Sequence, residues 1–298
     1  MTRFRAVVFT AAIATLAACG TPPPTPTAVT QAPPATATTT AATTAATAGK
    51  TEILWLGQAA VRITSPGGKV IVIDPWLTTN PKTPAGFRQL PALGKVDVIL
   101  VTHAHNDHLG DAPALAQLNN APIYNGGGMG QALINLGMVP AALVQRFGKS
   151  GTVMPFGPTG PKITAVHAEH SSELVRKNPA TGKDDTHYGG EPVGYIVEME
   201  NGFRVWHMGD TGLFGDMRLI GERYRPDLVL VPIGDHFTMG PQDAAIAVRD
   251  LIRPRFAIPI HYQTSPQLRG TPQEFNAALG TGAVTRVIVP QPGEKVDF

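Results

Sequence analysis

The most informative seven residues of this sequence are Thr102-His103-Ala104-His105-Asn106-Asp107-His108. They bring three imidazoles and a carboxylate together directly after the apolar run 96–101, which has the composition of a buried strand. Neutral imidazole binds Zn, Mn or Fe, and a carboxylate adds charge and can orient a bound water. A polar surface loop is the alternative, but this density of ligand types at a strand end favours a metal site.

This motif resembles that of the metallo-β-lactamase superfamily. The resemblance implies a four-layer αββα sandwich, of mixed α+β and α/β character, with a dinuclear metal site at one edge. It also implies three further ligands: a histidine after a later strand, an aspartate after another, and a last histidine near the C-terminus. Candidates for all three are present, each where a predicted strand ends: His167 or His170, Asp210 and His261.

Carried over residue by residue, the resemblance implies one metal held by His103, His105 and His170. The other would be held by Asp107, His108 and His261, with Asp210 as the bridge. The two histidines of the third segment are alternatives. A ligand directly before a serine favours His170, which leaves His167 as a packing or supporting histidine.

Two further parts of the sequence have two interpretations each. Asp74 follows an apolar strand and is either an acceptor for the free ring N–H of a ligating histidine or a turn residue before Pro75. His236, with Phe237 and Met239, either lines a substrate cleft or belongs to an ordinary packed loop.

The resemblance extends over nearly all of residues 51–298. Segments 209–216, 232–241 and 258–262 look like the branch of predicted metal-dependent hydrolases related to L-ascorbate-6-phosphate lactonase. One departure is clear: related sequences usually have Gly-His after the first strand, and this chain has Gly57-Gln58. The change removes no implied metal ligand, but it puts in doubt any substrate contact that this histidine makes.

The first 50 residues differ from the rest of the chain. Arg3 and Arg5 precede an apolar run that ends at Leu16-Ala17-Ala18-Cys19, as in a signal peptide (1–18) with a lipobox. Cys19 is the only cysteine of the chain and is the predicted lipidation site; an ordinary signal peptide with an incidental cysteine is the alternative. Residues 19–50 are dominated by Thr, Pro and Ala, which predicts a disordered tether.

Residues 51–298 are predicted to form one domain in which strands come first and later alternate with helices. Helices are expected at 113–119 and 129–136, from Gly240-Pro241 to about Ile252, and from the capping box at Thr271 to Gly280. Hairpin turns are expected at 66–68 and 200–202. The predicted strands are 52–56, 60–64, 69–73, 96–102, 162–166, 193–200, 203–208, 228–233, 256–260 and 284–289.

The predicted function is metal-dependent hydrolysis of a lactone, ester or phosphoester by a hydroxide held between two divalent metals, Zn or Mn, with Asp107 and Asp210 in catalytic roles. The substrate would be a small or lipid-derived molecule. A β-lactam substrate is disfavoured because many β-lactamases of this superfamily use a cysteine ligand, whereas Cys19 lies in the leader. A non-catalytic metal-binding or ligand-binding lipoprotein is the alternative from another class.

The composition bears on the partners and the location. The net charge is +2 and no basic stripe is visible, which excludes a nucleic-acid footprint. The leader predicts export and attachment to a bacterial membrane, on the periplasmic or cell-surface side, through the N-terminal lipid alone. The sequence gives no oligomeric state.

Overall fold

A computed structural model describes residues 49–298, so the predicted signal peptide, Cys19 and nearly all of the predicted tether lie outside the described residues. The strands are β1 Glu52–Trp55, β2 Val61–Thr64, β3 Val70–Ile73, β4 Val98–Leu100, β5 Ile123–Gly126, β6 Val144–Phe147, β7 Thr152–Val153, β8 Lys162–His167, β9 Glu173–Lys177, β10 Asp184–Tyr188, β11 Val193–Glu198, β12 Arg204–His207, β13 Leu228–Pro232, β14 Phe256–Ile260, β15 Arg286–Val287 and β16 Lys295–Asp297.

Two seven-stranded mixed sheets contain most of these strands. The first has the order β16-β1-β2-β3-β4-β5-β6 and the second the order β15-β14-β13-β12-β11-β8-β7. In each sheet the strands on one side pair antiparallel and those on the other side pair parallel. The parallel strands end at a common edge, where following residues can meet. Strands β9 and β10 form a separate two-stranded hairpin.

Helices cover the outer face of each sheet. They are α1 Asn106–Leu109, α2 Ala112–Asn119, α3 Gly127–Asn135, α4 Met217–Tyr224, α5 Pro241–Ile246 and α6 Pro272–Leu279; a π-helical segment, Ala247–Ile252, continues α5, and short 3₁₀ turns occur at Ala85–Phe87, Leu90–Leu93 and Ala141–Leu143. The predicted capping box of α6 is present: Thr271 Oγ1 accepts from Glu274 N at 3.2 Å, and Glu274 Oε2 accepts from Thr271 N at 3.0 Å. No helix within residues 49–298 has the length and apolarity needed to span a bilayer.

The apolar side chains separate into three clusters that define four layers. Alternation along β1 shows the principle, since Ile53 and Trp55 face the second sheet whereas Leu54 packs with the helices outside the first. The third cluster lies between the second sheet and α4, α5 and α6. The expected αββα sandwich is therefore confirmed: a central core between the sheets and one outer core on each side.

Several element predictions need correction. The predicted strand 284–289 is reduced to β15, because Val284 is exposed and Thr285 turns its hydroxyl to Pro254 O at 2.6 Å. The helix predicted to reach Ile252 widens into the π-helical segment after Ile246. Strands β5, β6, β7, β9, β10 and β16 and helix α4 had no predicted counterpart. The turns at 66–68 and 200–202 join antiparallel strands as expected.

Candidate metal centre

The seven histidines and aspartates implied as ligands meet at one edge of the sandwich. Residues 103–108 follow β4 of the first sheet, whereas His170, Asp210 and His261 follow β8, β12 and β14 of the second. The loop after β4 is attached to the second sheet through β11: Tyr195 Oη donates to Val101 O at 2.7 Å, and Val193 N donates to Thr102 O at 3.0 Å. Both sheets are therefore needed to assemble the cluster.

The cluster divides into two groups. Within each group, the atoms that could bind a metal all lie within 4.8 Å of one another. Group one contains His103, His105 and His170. Group two contains Asp107, His108, Asp210 and His261. Asp210 also approaches group one, since its Oδ2 lies 3.7 Å from His170 Nε2 and 3.9 Å from His103 Nε2. The grouping matches the division that the resemblance implied, with Asp210 between the groups.

Two nitrogens of group one face each other at short range. His103 Nε2 lies 3.0 Å from His105 Nδ1. The hydroxyl of Thr102 donates to Asp74 at 2.7 Å, so it can only accept from His103 Nδ1 at 3.1 Å, and His103 Nε2 is left bare. His105 Nε2 faces the Glu173 carboxylate at 3.0 Å, which can only accept, so Nδ1 is bare as well. Two lone pairs aimed at each other fit a cation between them.

Buried polar atoms without hydrogen-bond partners mark group two in the same way. Within residues 49–298, His108 Nε2, His261 Nε2 and Asp210 Oδ1 are buried and unsatisfied. Each such atom carries a desolvation cost that a partner would remove. His261 Nε2 lies 3.0 Å from Asp210 Oδ2 and 3.4 Å from Asp107 Oδ2. Imidazole nitrogens and carboxylate oxygens at these separations fit a divalent cation such as Zn or Mn.

The pKa values of the buried histidines shift in opposite directions in the two groups. Burial and the neighbouring His108 hold the pKa of His103 well below its usual range, and burial also lowers the pKa of His170. Burial would lower the pKa of His261 too, but Asp210 and Asp107 outweigh it and raise the pKa to about 9. Without a cation, His103 and His170 are therefore neutral, whereas His261 carries a proton at neutral pH.

The carboxylates of group two are held ionised. Burial would raise the pKa of Asp210, but His108 and His261 hold it well below its ordinary value. Burial would also raise the pKa of Asp107, but His108 and His261 lower it. Burial opposes protonation of His108, yet Asp210, Asp107 and Asp74 raise its pKa well above the usual range. A bound cation would take over the role of these protons as the partner of the carboxylates.

Asp74 lies beneath the cluster, fully buried. Its carboxylate accepts from His108 Nδ1 at 2.8 Å, from Thr102 N at 2.8 Å and from Thr102 Oγ1 at 2.7 Å. The structure shows features of both interpretations of its sequence position: the carboxylate contacts a histidine, and the backbone oxygen accepts from Trp76 N at 2.8 Å in the turn after β3. Through Thr102, the same carboxylate also supports His103, so it acts on one histidine of each group.

Gln58, at the position of the departure from the related sequences, contacts the cluster directly. Its backbone has a positive φ of 52°, which turns the side chain inward, and Nε2 donates to Asp107 Oδ2 at 2.8 Å. The backbone carbonyl oxygen of Gln58 accepts from His261 N and from Trp55 Nε1, both at 3.0 Å. The amide thus takes a position beside group two, which sequence reasoning did not assign to it.

The remaining predicted site residues lie elsewhere. His167 is half-exposed between Lys149 Nζ at 3.3 Å and Glu169 Oε2 at 3.2 Å, outside both groups. His236 is exposed and packs edge-on against Phe237. Met239 is buried in the outer core, where it cannot reach a cleft.

A cavity of about 330 Å³ opens onto the cluster. Five of the seven site residues line it, together with Ser171 and Phe237. This volume is at the small end of the range for small-molecule sites. His236 and Met239 are not among its lining residues, so of the three loop residues considered only Phe237 reaches the cleft.

Comparisons with known proteins agree with this geometry. A family model described as a beta-lactamase superfamily domain matches residues 69–262. A UPF0173 metal-dependent hydrolase of Cupriavidus necator is 77% identical over 298 residues, which is 100% of both chains. One from Myxococcus xanthus is 44% identical over 98% of this chain and 97% of its own.

A solved structure extends the likeness to three dimensions. Igni18, a metallo hydrolase from the archaeon Ignicoccus hospitalis, is 32% identical and superposes with a TM-score of 0.71 over 84% of this chain and 98% of its own. The isothiocyanate hydrolase from Delia radicum gut bacteria, 19% identical with a TM-score of 0.60 over 82% of this chain and 98% of its own, shares the fold. This chain accordingly belongs to the UPF0173 metal-dependent hydrolases of the metallo-β-lactamase superfamily.

Proposed function

We propose that the cluster is a dinuclear centre that hydrolyses a lactone, ester or phosphoester. His103, His105 and His170 would hold one cation, and Asp107, His108 and His261 the other. Asp210 would bridge them, because it is the carboxylate that approaches both groups. The observation that carries the proposal is the convergence of bare or unsatisfied ligand atoms from both groups on one small cavity.

Two bound divalent cations would lower the pKa of a shared water and stabilise the oxygen that becomes anionic in the reaction. The protein's own groups prepare the site for this chemistry. Asp107 is the more accessible carboxylate, with about a third of its side chain exposed toward the cavity, and is placed to hold a proton from the attacking water. Gln58 orients this carboxylate by donating to Oδ2. Phe237 contributes an exposed aromatic ring to the cavity lining.

We expect about two metal ions per chain in protein purified without chelator, since both groups are complete. Zinc should outcompete manganese at equal free concentration, following the general affinity order of divalent ions. Elemental analysis before and after reconstitution measures the ratio. Protein that stays metal-free after exposure to Zn and to Mn would contradict the proposal.

We expect the metal-loaded protein to hydrolyse simple lactones or esters, or a chromogenic phosphodiester, and to leave nitrocefin largely intact. A bridging carboxylate at Asp210 adds negative charge between the cations, which suits a single nucleophile and an oxygen leaving group. The panel is assayed side by side, with the chelated protein as the control. Nitrocefin turnover with kcat/KM of about 10⁴ M⁻¹s⁻¹ or above, and nothing comparable on the other substrates, would favour the β-lactamase alternative.

The same panel addresses the non-catalytic alternative. A binding lipoprotein would take up metal and show no turnover on any member. The enzyme proposal is favoured because all seven implied ligands are present and lie together.

We also propose that the protein is exported and lipid-anchored through Cys19, as the leader predicts. The Cys19→Ser variant should leave the membrane fraction or remain unprocessed, because the thiol is the attachment point for the lipid. Cell fractionation of both forms, with metal content as a control for folding, measures this. Wild-type protein found wholly soluble outside the cytoplasm would contradict the anchor.

A further inference from the structure

The β9–β10 hairpin is attached by its base to the loop that carries the first histidines. Ser172 Oγ accepts from Ala104 N at 3.0 Å and donates to Gly189 O at 2.9 Å. Gly189 N returns a bond to Ser172 O at 2.8 Å. A Cβ at Gly189 would collide with the Ser172 carbonyl and with the Ala104 side chain, so the two segments approach as closely as a glycine allows.

Glu173, the first residue of β9, makes the contact that matters for chemistry. Its Oε2 accepts from His105 Nε2 at 3.0 Å and from Ser171 Oγ at 2.8 Å. An ionised carboxylate only accepts, so the ring proton of neutral His105 is held at Nε2 and the lone pair at Nδ1. Nδ1 is the nitrogen that faces His103 Nε2.

The hairpin depends on such attachments for its own order. A two-stranded ribbon alone is only marginally stable in water. Both strands are largely exposed, and Leu174 is the buried apolar residue that joins β9 to the outer core. Contacts at the base, from Ser172 and Glu173, therefore weigh heavily in how often the hairpin opens.

We propose that Glu173 is a positioning residue that selects the metal-binding tautomer of His105, and that it thereby couples occupancy of group one to the order of the β9–β10 hairpin. The proposal rests on the dinuclear site proposed above. It assigns a role to a residue that is no ligand and that the sequence motif does not include.

Removing the carboxylate should weaken the binding of one of the two metals and leave the binding of the other unchanged. Partners of ligating histidines change metal affinity by about 10- to 100-fold. Half of the Glu173 side chain is exposed, so water can replace part of its effect. We therefore expect Glu173→Ala to bind one zinc about 10-fold more weakly. Glu173→Gln keeps an acceptor oxygen and should recover most of the affinity.

Asp184→Ala is the matched control. Asp184 is an exposed carboxylate on the same hairpin, and it pairs with Lys177 at 3.2 Å, away from the histidines. Its replacement changes the charge of the hairpin by the same amount as Glu173→Ala. Both zinc affinities should stay within about 2-fold of the wild type, because a surface ion pair contributes little.

The experiment combines zinc competition titration with hydrogen exchange of residues 173–188, both on the full chain. Zinc should slow exchange of the hairpin in the wild type and in Asp184→Ala, and slow it much less in Glu173→Ala. Unchanged zinc affinities in Glu173→Ala, or wild-type hairpin exchange that ignores zinc, would overturn this inference and leave the dinuclear site standing. A wild type that binds no zinc would overturn both.

Discussion

Replacing Asp210 with alanine should lower kcat/KM by about 10³-fold or more, equivalent to roughly 4 kcal/mol of transition-state stabilisation. Asp210 is almost fully buried, and its two oxygens lie 3.3 Å from His108 Nε2, 3.0 Å from His261 Nε2 and 3.7 Å from His170 Nε2. Without it, imidazoles of both groups face one another with no bridging anion, so the site should also lose metal. Kinetics and elemental analysis of the same preparation measure both effects.

His167→Ala is the matched control for this variant. His167 is the last residue of the strand that His170 follows, but its ring lies between Lys149 and Glu169 at the surface. Its loss should change kcat/KM by no more than about 3-fold and leave the metal content intact. A loss at His167 equal to or larger than that at Asp210 would mean that the third-segment ligand has been assigned to the wrong histidine.

Replacing Asp74 should produce the second large effect. Asp74→Ala should lose mainly stability, whereas Asp74→Asn should lose mainly metal. Asp74→Ala leaves three buried donors, on Thr102 and His108, without an acceptor. Breaking a buried charged pair of this kind costs about 3–5 kcal/mol in the free energy of unfolding. For a domain of this size we expect a fall in Tm of roughly 10 °C.

Asp74→Asn should keep more of the stability and still lose metal from group two. The side-chain amide has one accepting oxygen, and its NH₂ group would meet a donor at either Thr102 or His108 Nδ1. His108 can avoid a clash between two donors by carrying its ring proton on Nε2 instead of Nδ1. Nε2 is the nitrogen that faces the carboxylates of group two. Thermal unfolding with and without EDTA, together with zinc content, separates the two effects.

Asp111→Asn serves as the control for a carboxylate that holds a loop. Asp111 accepts three hydrogen bonds, as Asp74 does, but they come from Leu77 N, Thr78 N and Thr78 Oγ1 and none comes from a histidine. It should lose some stability and keep both metals. If Asp74→Asn also keeps both metals and full activity, Asp74 is a structural residue of the turn and does not position the histidines.

Strand-end placement explains how far the sequence alone could predict the site. The segments before residues 103, 210 and 261 are short apolar strands, and a ligand type directly after such a strand points to the shared edge of the sheets. The heptapeptide at 102–108 identified the fold because its spacing matched a known family. The layers followed from alternation of apolar residues, as in β1.

The contacts around the ligands could not be predicted in the same way. Glu173 lies at the start of a largely exposed ribbon in which Leu174 is buried, so its sequence has too little alternation to reveal a strand. The signal that was available, an acidic residue three positions after His170, is too common to be informative by itself. Gln58 reaches Asp107 because its backbone adopts a positive φ, which is rare for a side chain of this size.

Strand β16 was missed for a related reason. It has three residues, two of them charged, and it pairs with β1 only because the ends of the domain meet: Thr51 and Phe298 exchange backbone hydrogen bonds at 3.0 and 2.9 Å. Pairing between residues so distant in the chain depends on the finished tertiary structure, and a local sequence pattern contains no trace of it.

Because the ligands come from both sheets, a cation bound in the cluster would link the two sheets at the edge of the central core. A cation that binds there touches both halves of the sandwich and has no comparable partner in the unfolded chain. By mass action, it adds about 4 kcal/mol to the free energy of unfolding when its free concentration is about 1,000 times its dissociation constant. Resistance of the folded chain to heat and proteolysis should therefore rise and fall with the free metal concentration of its surroundings, whatever the substrate.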